Sequence, residues 1–535
     1  MNLLSLAALL PALLLVSAAP SPRQACTLNW NGSSINGAAE GSVCRYAIRY
    51  GTAARWTDAV ATSASVGKVC RKADKDRYGN TASVAPSCPQ AGGATAGASQ
   101  SEDCLYLTLY VPSGASALPV LAWVHGGSYF FGSDAAPGLD GAKLASSANI
   151  VVAEIQYRLG ALGFLAPAQS PASADPNFGL RDIVLALNTL KARAGDYGGD
   201  GSKITLGGES TGASLIRALY GVPAAQGLFR SAILQSDPLN YGFSSTATTT
   251  KVRANFFTQR VFAPYSASTL AAWQAYPLST ILAAQAATIS SAPNFIAGVP
   301  HQQPIRPTYG TNTLPSDPTA AFFSDPSTLP VSPANTPLLI TNTADEGAGV
   351  VASGLPNAVP LNAATYTGVL ATILDPARAA TLSSPSGPYP LPSTDSGDTL
   401  RNTLSHVVSD GAWRCPARSL AANYAGAGGQ VYVAEWTQGV KYPLNAGVSL
   451  CNGKVCHGDD IYPTFGTSPS PGALDAEASA AWGSFVNTQG ISWNQFTSGS
   501  GVSGTDVHGI GGGAVGSCPD SYWGSQVQWD WQVYA

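Results

Sequence analysis

Apolar and polar positions alternate along the chain in two periods, one typical of strands and one typical of helices. Near-continuous apolar runs rich in β-branched and aromatic residues predict buried strands at "CLYLTLYV", "PVLAWVHGG", "NIVVAEIQY", "KITLGG", "SAILQSD", "TPLLITN" and "GQVYVAEW". Between these runs, "GLRDIVLALNTLKARA" repeats Leu180, Val184 and Leu187 at helical spacing, and "STGASLIRALYG" predicts a second helix. Strands that alternate with helices predict a mostly parallel sheet with helices on both faces.

The remaining segments indicate how the chain surrounds this sheet. "CTLNWNGSSING" and "SVCRYAIRYG" predict two strands joined by a glycine-rich turn near the N-terminus. Residues 240–335 are rich in Ala, Ser, Thr and Pro and predict helices and loops over the sheet, while the stretches near 384–398 and 498–517 predict surface connections. Since no linker divides the chain, we expect one domain over residues 19–535.

The first residues predict a secretory signal over residues 1–18. An apolar stretch from Leu3 to Val16 is too short to span a bilayer comfortably, and small residues follow it up to a cleavage point near Ala18. Nine cysteines agree with an oxidising destination, and no later stretch is apolar enough to span a membrane. We therefore expect a secreted, extracellular protein without stable membrane anchoring.

Charge and motif content argue against several classes of partner. The chain carries 27 Lys and Arg against 31 Asp and Glu, a formal charge of −4, and no basic run that would indicate a nucleic-acid partner. No C-x-x-C pair occurs, which argues against a structural zinc site, and we expect neither a metal nor an organic cofactor. The N-x-S/T sequon at Asn31 lies in a turn-like stretch and predicts glycosylation there.

The stretch "GGESTGAS" at residues 207–214 places three glycines around one serine at the end of a predicted strand. Gly208 to Gly212 fits the G-x-S-x-G nucleophile elbow, in which a sharp strand-to-helix turn exposes the Oγ of Ser210. Small flanking residues allow the close packing that this turn requires, and the next helix directs its N-terminal N–H groups at the reacting carbon. An ordinary tight turn is the structural alternative.

"VHGGSYFFGS" offers the oxyanion hole that a serine nucleophile needs. Gly126 and Gly127 follow a predicted strand, and their unobstructed N–H groups can point at a developing oxyanion, joined by the N–H of Thr211. On its own this motif would equally be a turn after a strand. Together with the elbow it favours a catalytic role.

Four histidines follow the serine and could supply a base, because α/β-hydrolases place the nucleophile before the acid and the histidine. His301 precedes the acid candidates, and His508 lies in a glycine-rich connection. His406 lies between apolar residues and is predicted to be structural and partly buried. His457 follows the last predicted strand in the cysteine-pinned loop "KVCHGDDIYPTFG", which suits a base that must be held in place.

"PLLITNTADEG" offers two neighbouring carboxylates that could orient the histidine, Asp345 and Glu346. Both follow a predicted strand, where the acid would fix the imidazole tautomer and stabilise the imidazolium. Spacing does not decide between them, and two solvated loop acids are the structural alternative.

Taken together, the motifs resemble the type B carboxylesterase/lipase family, which includes fungal lipases, carboxylesterases and cholinesterases. The matching blocks are "SEDCLYLTLYVP", "VHGGSYFFGS", "QYRLGALGFLA", "NFGLRDIVLAL", "YGGDGSKITLGGESTGAS", "LFRSAILQSD", "TADEG" and "CHGDDIYPTFG". The resemblance implies an α/β-hydrolase fold: a large central, mostly parallel, twisted sheet covered by helices, with cap and loop insertions. For the site it implies Ser210 as nucleophile, Glu346 rather than Asp345 as acid, His457 as base, and Gly126, Gly127 and Thr211 as oxyanion donors.

The family also has a network behind the nucleophile, and the matching positions here are Glu209, Ser236 and Asp460. Asp460 is shorter than the glutamate common in cholinesterases, which predicts a looser or water-filled network.

Thr211 stands where the family usually has alanine. We therefore expect Thr211→Ala to broaden acyl-chain tolerance while the basic activity is retained.

Eight of the nine cysteines are expected to form four disulfides, and one cysteine is left unpaired. The resemblance implies the disulfides Cys88–Cys104 and Cys415–Cys518. We further expect Cys26–Cys44 across the first hairpin and Cys451–Cys456 beside the histidine. This set leaves Cys70 over, and Cys44–Cys70 is an alternative pairing.

The loop at residues 89–103 bears on the substrate, because it lacks any large apolar side chain. In fungal lipases the corresponding loop is a long amphipathic lid, so the short polar loop favours an esterase acting on soluble or modest-sized esters. Within the enzyme class, a lipase or sterol esterase acting on long-chain lipid esters is the alternative. The alternative of another class is a non-catalytic adhesion or binding protein with the same fold.

Overall fold

The structure, a computed structural model, describes the following residues: 26–62, 85–91, 99–239, 241–262, 268–292, 303–355, 362–373, 376–391, 397–500, 504–518 and 523. The predicted signal segment, Cys70 and His301 lie outside the described residues. Among the residues that are described, no helix is long and apolar enough to cross a membrane.

Strands and helices alternate through most of the described chain. The strands are β1 Thr27–Trp30, β2 Ser33–Asn36, β3 Ala38–Glu40, β4 Val43–Arg49, β5 Gly51–Thr52, β6 Val60–Ala61, β7 Tyr106–Pro112, β8 Leu118–Val124, β9 Val151–Ile155, β10 Gly199–Glu209, β11 Ser231–Gln235, β12 Ser244–Ser245, β13 Thr308–Tyr309, β14 Leu338–Thr343, β15 Val431–Trp436 and β16 Val507–Ile510. The helices are α1 Ala142–Ala148, α2 Gly160–Phe164, α3 Phe178–Ala192, α4 Thr211–Tyr220, α5 Thr246–Phe257, α6 Leu270–Gln274, α7 Leu278–Ser291, α8 Pro318–Ser324, α9 Gly347–Gly354, α10 Ala363–Ile373, α11 Pro376–Ser383, α12 Gly397–Ser409, α13 Cys415–Gly426, α14 Ile461–Phe465 and α15 Ala473–Thr488.

Ten of these strands form one sheet in the order β16-β15-β14-β11-β10-β8-β9-β7-β4-β3. The seven strands from β16 to β9 in this order run parallel to one another. At the other end, β7, β4 and β3 are antiparallel to their neighbours. The predicted α/β-hydrolase architecture, a large and mostly parallel central sheet with helices, is therefore confirmed.

The alternation along β8 shows why both faces of the sheet are covered. Val120, Ala122 and Val124 belong to the apolar cluster that contains the buried residues of α3 and α4. Leu121 and Trp123 belong to a second cluster, which contains buried residues of α1 and α15. Because successive side chains of a strand point to opposite faces, one continuous apolar run serves two cores.

A third apolar cluster is formed mainly by a cap-like insertion, the helices α9 to α12, which follow β14 and precede β15 along the chain. It contains Tyr366 of α10, Leu382 of α11 and Leu404 of α12. A π-helical turn, Asp410–Arg414, joins α12 to α13 and leads the chain back to the sheet. This insertion accounts for the length that separates the predicted acid from the predicted histidine.

Three sequence-based expectations are wrong in detail. The N-terminal region contains two hairpins, β1–β2 and β3–β4, where one pair of strands was expected. His508 does not lie in a surface connection, since it belongs to the edge strand β16, which is short and interrupted by glycine. His406 is exposed rather than partly buried, because its neighbours Leu404 and Val407 occupy the inner face of α12.

Candidate active site

Ser210 lies in the sharp turn between β10 and α4, at the carboxyl edge of the parallel sheet. Its backbone has φ 57° and ψ −127°, a conformation that is costly for a residue with a side chain. The N–H of Ser210 donates to the carbonyl of Gln235 at 2.9 Å, which holds the turn to the neighbouring strand. The described geometry is therefore that of a strained elbow that presents a serine side chain.

The glycines on either side of Ser210 are required by close packing. A Cβ atom on Gly208 would lie 2.7 Å from the carbonyl oxygen of Val124, and one on Gly212 would lie 2.1 Å from the same atom. Real Cβ atoms do not approach a backbone oxygen so closely, so β8 excludes side chains at both positions. Glycine is therefore required at these two positions because strand β8 packs too closely for any side chain.

The loop after β8, residues 126–132, lies directly against this elbow, and we call it the oxyanion loop. A Cβ atom on Gly126 would lie 2.9 Å from the Cβ of Ser210. Within the described chain, the N–H groups of Gly126 and Gly127 donate no backbone hydrogen bond, and neither does that of Ser128. Sequence reasoning missed Ser128, whose positive φ of 54° is unusual for serine and not visible in the sequence.

Thr211 is the first residue of α4, so its N–H is one of the four that have no partner within the helix. Its side chain is buried, and Oγ1 accepts a hydrogen bond of 3.3 Å from the N–H of Tyr129. The hydroxyl therefore connects the elbow to the oxyanion loop, a role that the alanine usual in the family could not fill.

Thr211→Val is expected to lower kcat about three- to tenfold, because it keeps the branched shape but removes a hydrogen bond worth about 0.5–1.5 kcal/mol. Thr211→Ser keeps the acceptor and is expected to retain kcat. The sequence alone predicts that Thr211→Ala broadens acyl tolerance with the basic activity retained; because alanine also loses the hydrogen bond from Tyr129, we expect it to lower kcat as well. Rates with p-nitrophenyl esters of increasing chain length measure both effects, and a valine variant as fast as the wild type would show that the hydroxyl has no such role.

His457 and Glu346 are in direct contact. His457 Nδ1 lies 2.5 Å from Glu346 Oε2, and Glu346 is fully buried. The other carboxylate oxygen, Oε1, accepts the N–H of Thr343 at 2.7 Å, which fixes the carboxylate just after β14. This arrangement can hold the imidazole with its proton on Nδ1 and leave Nε2 available as a base.

Asp345, the neighbouring candidate acid, points to the histidine loop instead of the imidazole. Its N–H donates to the carbonyl of Val455 at 2.9 Å, and its Oδ2 accepts the N–H of Val455 at 3.3 Å. Asn445 supports the same loop, because its side-chain amide donates to the carbonyl of His457 at 3.0 Å. The geometry thus distinguishes two adjacent carboxylates that spacing could not.

Glu209, the residue before the serine, contacts the opposite nitrogen of the imidazole. His457 Nε2 lies 3.2 Å from Glu209 Oε1, and Ser210 Oγ makes no hydrogen bond within the described chain. Catalytic hydrogen bonds are often long in unliganded enzymes and shorten when substrate binds. In this state the imidazole therefore lies between two carboxylates, those of Glu209 and Glu346.

These carboxylates change the acidity of the histidine. Burial lowers the pKa of His457, but the negative charges of Glu209 and Glu346 raise that pKa by more, to well above its usual value. Burial raises the pKa of Glu209, although the nearby His457 charge opposes this effect. Because a base must be unprotonated to act, we expect activity to rise with pH as His457 loses its proton.

Glu209→Gln is expected to move the rising limb of the kcat/KM profile to lower pH by about one pH unit or more, because it removes one of the two negative neighbours of His457. The pH dependence of hydrolysis of a neutral ester measures this shift. Glu477→Gln is the matched control, since it removes a carboxylate 3.2 Å from the remote His508 and should leave the limb unchanged. A rising limb that stays in place or moves to higher pH in Glu209→Gln would contradict the conclusion that Glu209 raises the pKa of the base His457.

Trp413 is a further neighbour of the histidine that sequence reasoning missed. Its ring centre lies 5.6 Å from that of His457, and its indole N–H donates to the carbonyl of Ser236 at 2.9 Å. Trp413 belongs to the π-helical turn, a feature often found at functional sites. No sequence motif marks this residue, because its position depends on the cap helices.

The predicted network behind the serine is not closed by direct contacts. Asp460 Oδ2 accepts a hydrogen bond of 2.8 Å from the side chain of Gln235. Asp460 Oδ1 and Ser236 Oγ are buried and have no hydrogen-bond partner within the described chain. Glu209, the third predicted member, contacts His457 instead. The structure therefore places the three residues around the site without joining them to one another.

The structure contains all four expected disulfides, namely Cys26–Cys44, Cys88–Cys104, Cys415–Cys518 and Cys451–Cys456. The first joins the two N-terminal hairpins rather than closing one of them, because Cys44 lies in β4. Asn31 is exposed in the turn between β1 and β2, where its glycosylation stays a prediction. Among the described residues, no group of three or more His, Cys, Asp or Glu side chains could hold a metal ion.

Comparison with known proteins identifies relatives of both the sequence and the fold. The model of the carboxylesterase family matches residues 69–490. The para-nitrobenzyl esterase of Bacillus subtilis (strain 168) is 41% identical over 138 residues, which are 26% of this chain and 28% of that protein. The human cocaine esterase is 43% identical over 141 residues, 26% of this chain and 24% of that protein. The matches thus span only about a quarter of the length of these curated relatives.

A solved structure described as PNB esterase resembles the fold over nearly its whole length. The match has a TM-score of 0.69 and covers 89% of this chain and 94% of that chain. Sequence identity over this match is 23%, so it shows the fold alone.

Proposed function

Because the chain belongs to the carboxylesterase family, we propose that it is a secreted serine esterase that hydrolyses carboxylic esters through Ser210, His457 and Glu346. The contact that carries this proposal is the 2.5 Å approach of Glu346 Oε2 to His457 Nδ1 beside a strained serine elbow. Esterase names among the relatives support the reaction class. The four disulfides support an extracellular destination.

The proposed reaction proceeds by two acyl transfers. His457 Nε2 takes the proton of Ser210 as Oγ attacks the ester carbonyl, and the charge of Glu346 stabilises the imidazolium that forms. The N–H groups of the oxyanion loop, at Gly126, Gly127 and Ser128, act with that of Thr211 on the oxyanion. The alcohol leaves with the proton from His457, and water repeats the sequence to release the acid.

The proposed substrates are soluble or modest-sized esters rather than emulsified lipids. The described ends of the loop at residues 89–103 carry only small or polar side chains, apart from Pro89. An amphipathic lid that binds a lipid interface would need a large apolar face. A lipase or sterol esterase is the second candidate within the enzyme class.

Hydrolysis of a short p-nitrophenyl ester, compared with release of fatty acid from an emulsified long-chain triglyceride, tests this proposal. We expect turnover of the soluble ester and a much lower rate with the emulsion. A clear preference for the emulsion would contradict the soluble-ester assignment. Folded protein that hydrolyses neither substrate would favour the non-catalytic binding protein.

A further inference from the structure

The oxyanion loop has a strained backbone, although the N–H groups of Phe130 and Phe131 donate to the carbonyl of Gly127 within the loop. Four of its seven residues have positive φ, namely Gly127, Ser128, Tyr129 and Gly132, and two of these four are not glycine. Such conformations persist only when surrounding contacts fix them. Two such contacts lie at Tyr129: its N–H donates to Thr211 Oγ1, and its carbonyl accepts the N–H of Gly160 at 2.7 Å.

A third contact holds the far end of the loop and comes from a side chain that the proposed reaction does not use. The amide of Gln90 binds both backbone groups of Gly132: Nε2 donates to the carbonyl at 2.9 Å, and Oε1 accepts the N–H at 2.9 Å. Gln90 is 3% exposed, and its Nε2 also donates to the carbonyl of Cys88 at 3.1 Å. All the side-chain atoms of Gln90 that can form hydrogen bonds are therefore engaged in this buried contact.

Gly132, the last residue of the oxyanion loop, lies directly against Gly126, the first. A Cβ atom on Gly132 would lie 2.2 Å from the carbonyl oxygen of Gly126 and 2.6 Å from His125 Nδ1. His125 Nδ1 in turn lies 2.8 Å from that same carbonyl of Gly126. Burial lowers the pKa of His125 to about 4, so the ring is neutral and its Nδ1–H can donate. A shift of Gly132 would therefore move the Gly126–Gly127 peptide, whose N–H is one of the proposed oxyanion donors.

Gln90 itself is held by the segment that the Cys88–Cys104 disulfide closes. The N–H of Gln90 donates to Gln100 Oε1 at 3.0 Å, across the base of this segment. Backbone hydrogen bonds between Ser87 and residues 99 and 101 close the same base. The disulfide-closed segment and the oxyanion loop are thus joined through one buried amide.

We propose that Gln90 is a positioning residue that couples the disulfide-closed segment to the oxyanion loop and thereby sets the rate of the chemical step. This role rests on the proposed function. Gln90 does not touch the reacting atoms, and it acts by fixing Gly132 and, through it, the peptide at Gly126. We call the two hydrogen bonds between the Gln90 amide and Gly132 the clamp. Loss of this clamp lowers transition-state stabilisation more than it lowers substrate binding.

The test compares Gln90→Leu and Gln90→Glu with Gln226→Leu in the full-length protein. The leucine variant loses the whole clamp, and the glutamate variant keeps the shape but places a carboxylate against the carbonyls of Gly132 and Cys88. Gln226→Leu is the matched control, because it makes the same change at an exposed glutamine before β11 whose side chain makes no hydrogen bond within the described chain. For each protein, kcat and KM with a short p-nitrophenyl ester are measured, together with Ki for an alkyl trifluoromethyl ketone. Ser210 Oγ adds to this ketone and its proton passes to His457, so the tetrahedral adduct places an oxyanion in the same hole without a leaving group.

We expect both Gln90 variants to lower kcat about tenfold or more with little change in KM, and to weaken the trifluoromethyl ketone by a similar factor. Gln226→Leu should stay within about twofold of the wild type. A kcat within twofold of the wild type in both Gln90 variants, an effect confined to KM, or an equal loss in Gln226→Leu would overturn the proposal. If one Gln90 variant does not fold, the other supplies the comparison. Failure of the proposed function is distinguishable, because the wild type itself would then neither hydrolyse the ester nor bind the ketone.

Discussion

Ser210→Ala is expected to lower kcat for a soluble p-nitrophenyl ester by a factor of about 10⁶. The variant removes the only atom that can form the acyl-enzyme in the proposed reaction, and His457 then has no hydroxyl to activate. Residual catalysis of about 10³-fold over water should remain, because the oxyanion loop and the binding site are intact. Steady-state kinetics on highly purified protein, with a fresh column for each variant to exclude wild-type carry-over, measures this loss.

The control for this variant is Ser202→Ala, which changes an exposed serine at the start of the same strand, β10. Ser210→Ala should unfold at nearly the wild-type temperature, since Ser210 Oγ makes no hydrogen bond within the described chain. Ser202→Ala should also do so, because it loses only an exposed, local hydrogen bond of 2.6 Å to Asp200 Oδ1. Retention of more than about 1% of the wild-type kcat in Ser210→Ala, with folding intact, would exclude Ser210 as the nucleophile.

The second large effect is expected for Glu346→Gln, which should lower kcat about 10⁴-fold. The amide keeps the size of the carboxylate but removes the charge that stabilises the imidazolium, and it no longer selects the tautomer with the proton on Nδ1. Since Glu346 is fully buried and bound to the N–H of Thr343, no water or neighbouring side chain can easily replace it. The pre-steady-state rate of p-nitrophenol release reports the loss in the acylation step directly.

Asp345→Asn is the matched control, because it changes the adjacent carboxylate in the same way. Asp345 binds the backbone of Val455 and not the imidazole, so its variant should retain activity within about threefold of the wild type. Comparable losses in the two variants, or a larger loss in Asp345→Asn, would show that the acid has been assigned to the wrong residue.

The elements that position the site could be predicted from the sequence because they follow from local patterns. Strand β10 and helix α4 are bounded by a change from an apolar run to helical spacing, and the glycines at Gly208 and Gly212 mark the elbow between them. Apolar runs along β8, β10 and β11 reflect a sheet buried on both faces, which is why the parallel architecture was predictable. The order of elbow, acid and histidine along the chain then narrowed the choice among four histidines.

The contacts that were missed depend on segments far apart in the sequence. Trp413 reaches His457 only because the cap helices bring a π-helical turn against the histidine loop. Glu209 contacts the imidazole, although its position suggested a partner behind the serine. Strand β16 was missed because four residues that include a glycine, "VHGI", carry too little apolar periodicity to predict an edge strand. Each of these features is set by packing, which a local pattern does not encode.

Reaction of the purified protein with a fluorophosphonate, followed by mass spectrometry of its peptides, tests the central claim most directly. Such a probe phosphonylates a serine only when a base activates it and an oxyanion hole accepts the phosphonyl oxygen. The account predicts one adduct per chain, located on Ser210, that is absent in Ser210→Ala and strongly slowed in Glu346→Gln. Folded protein that remains unlabelled, or that carries its adduct on another serine, would contradict it.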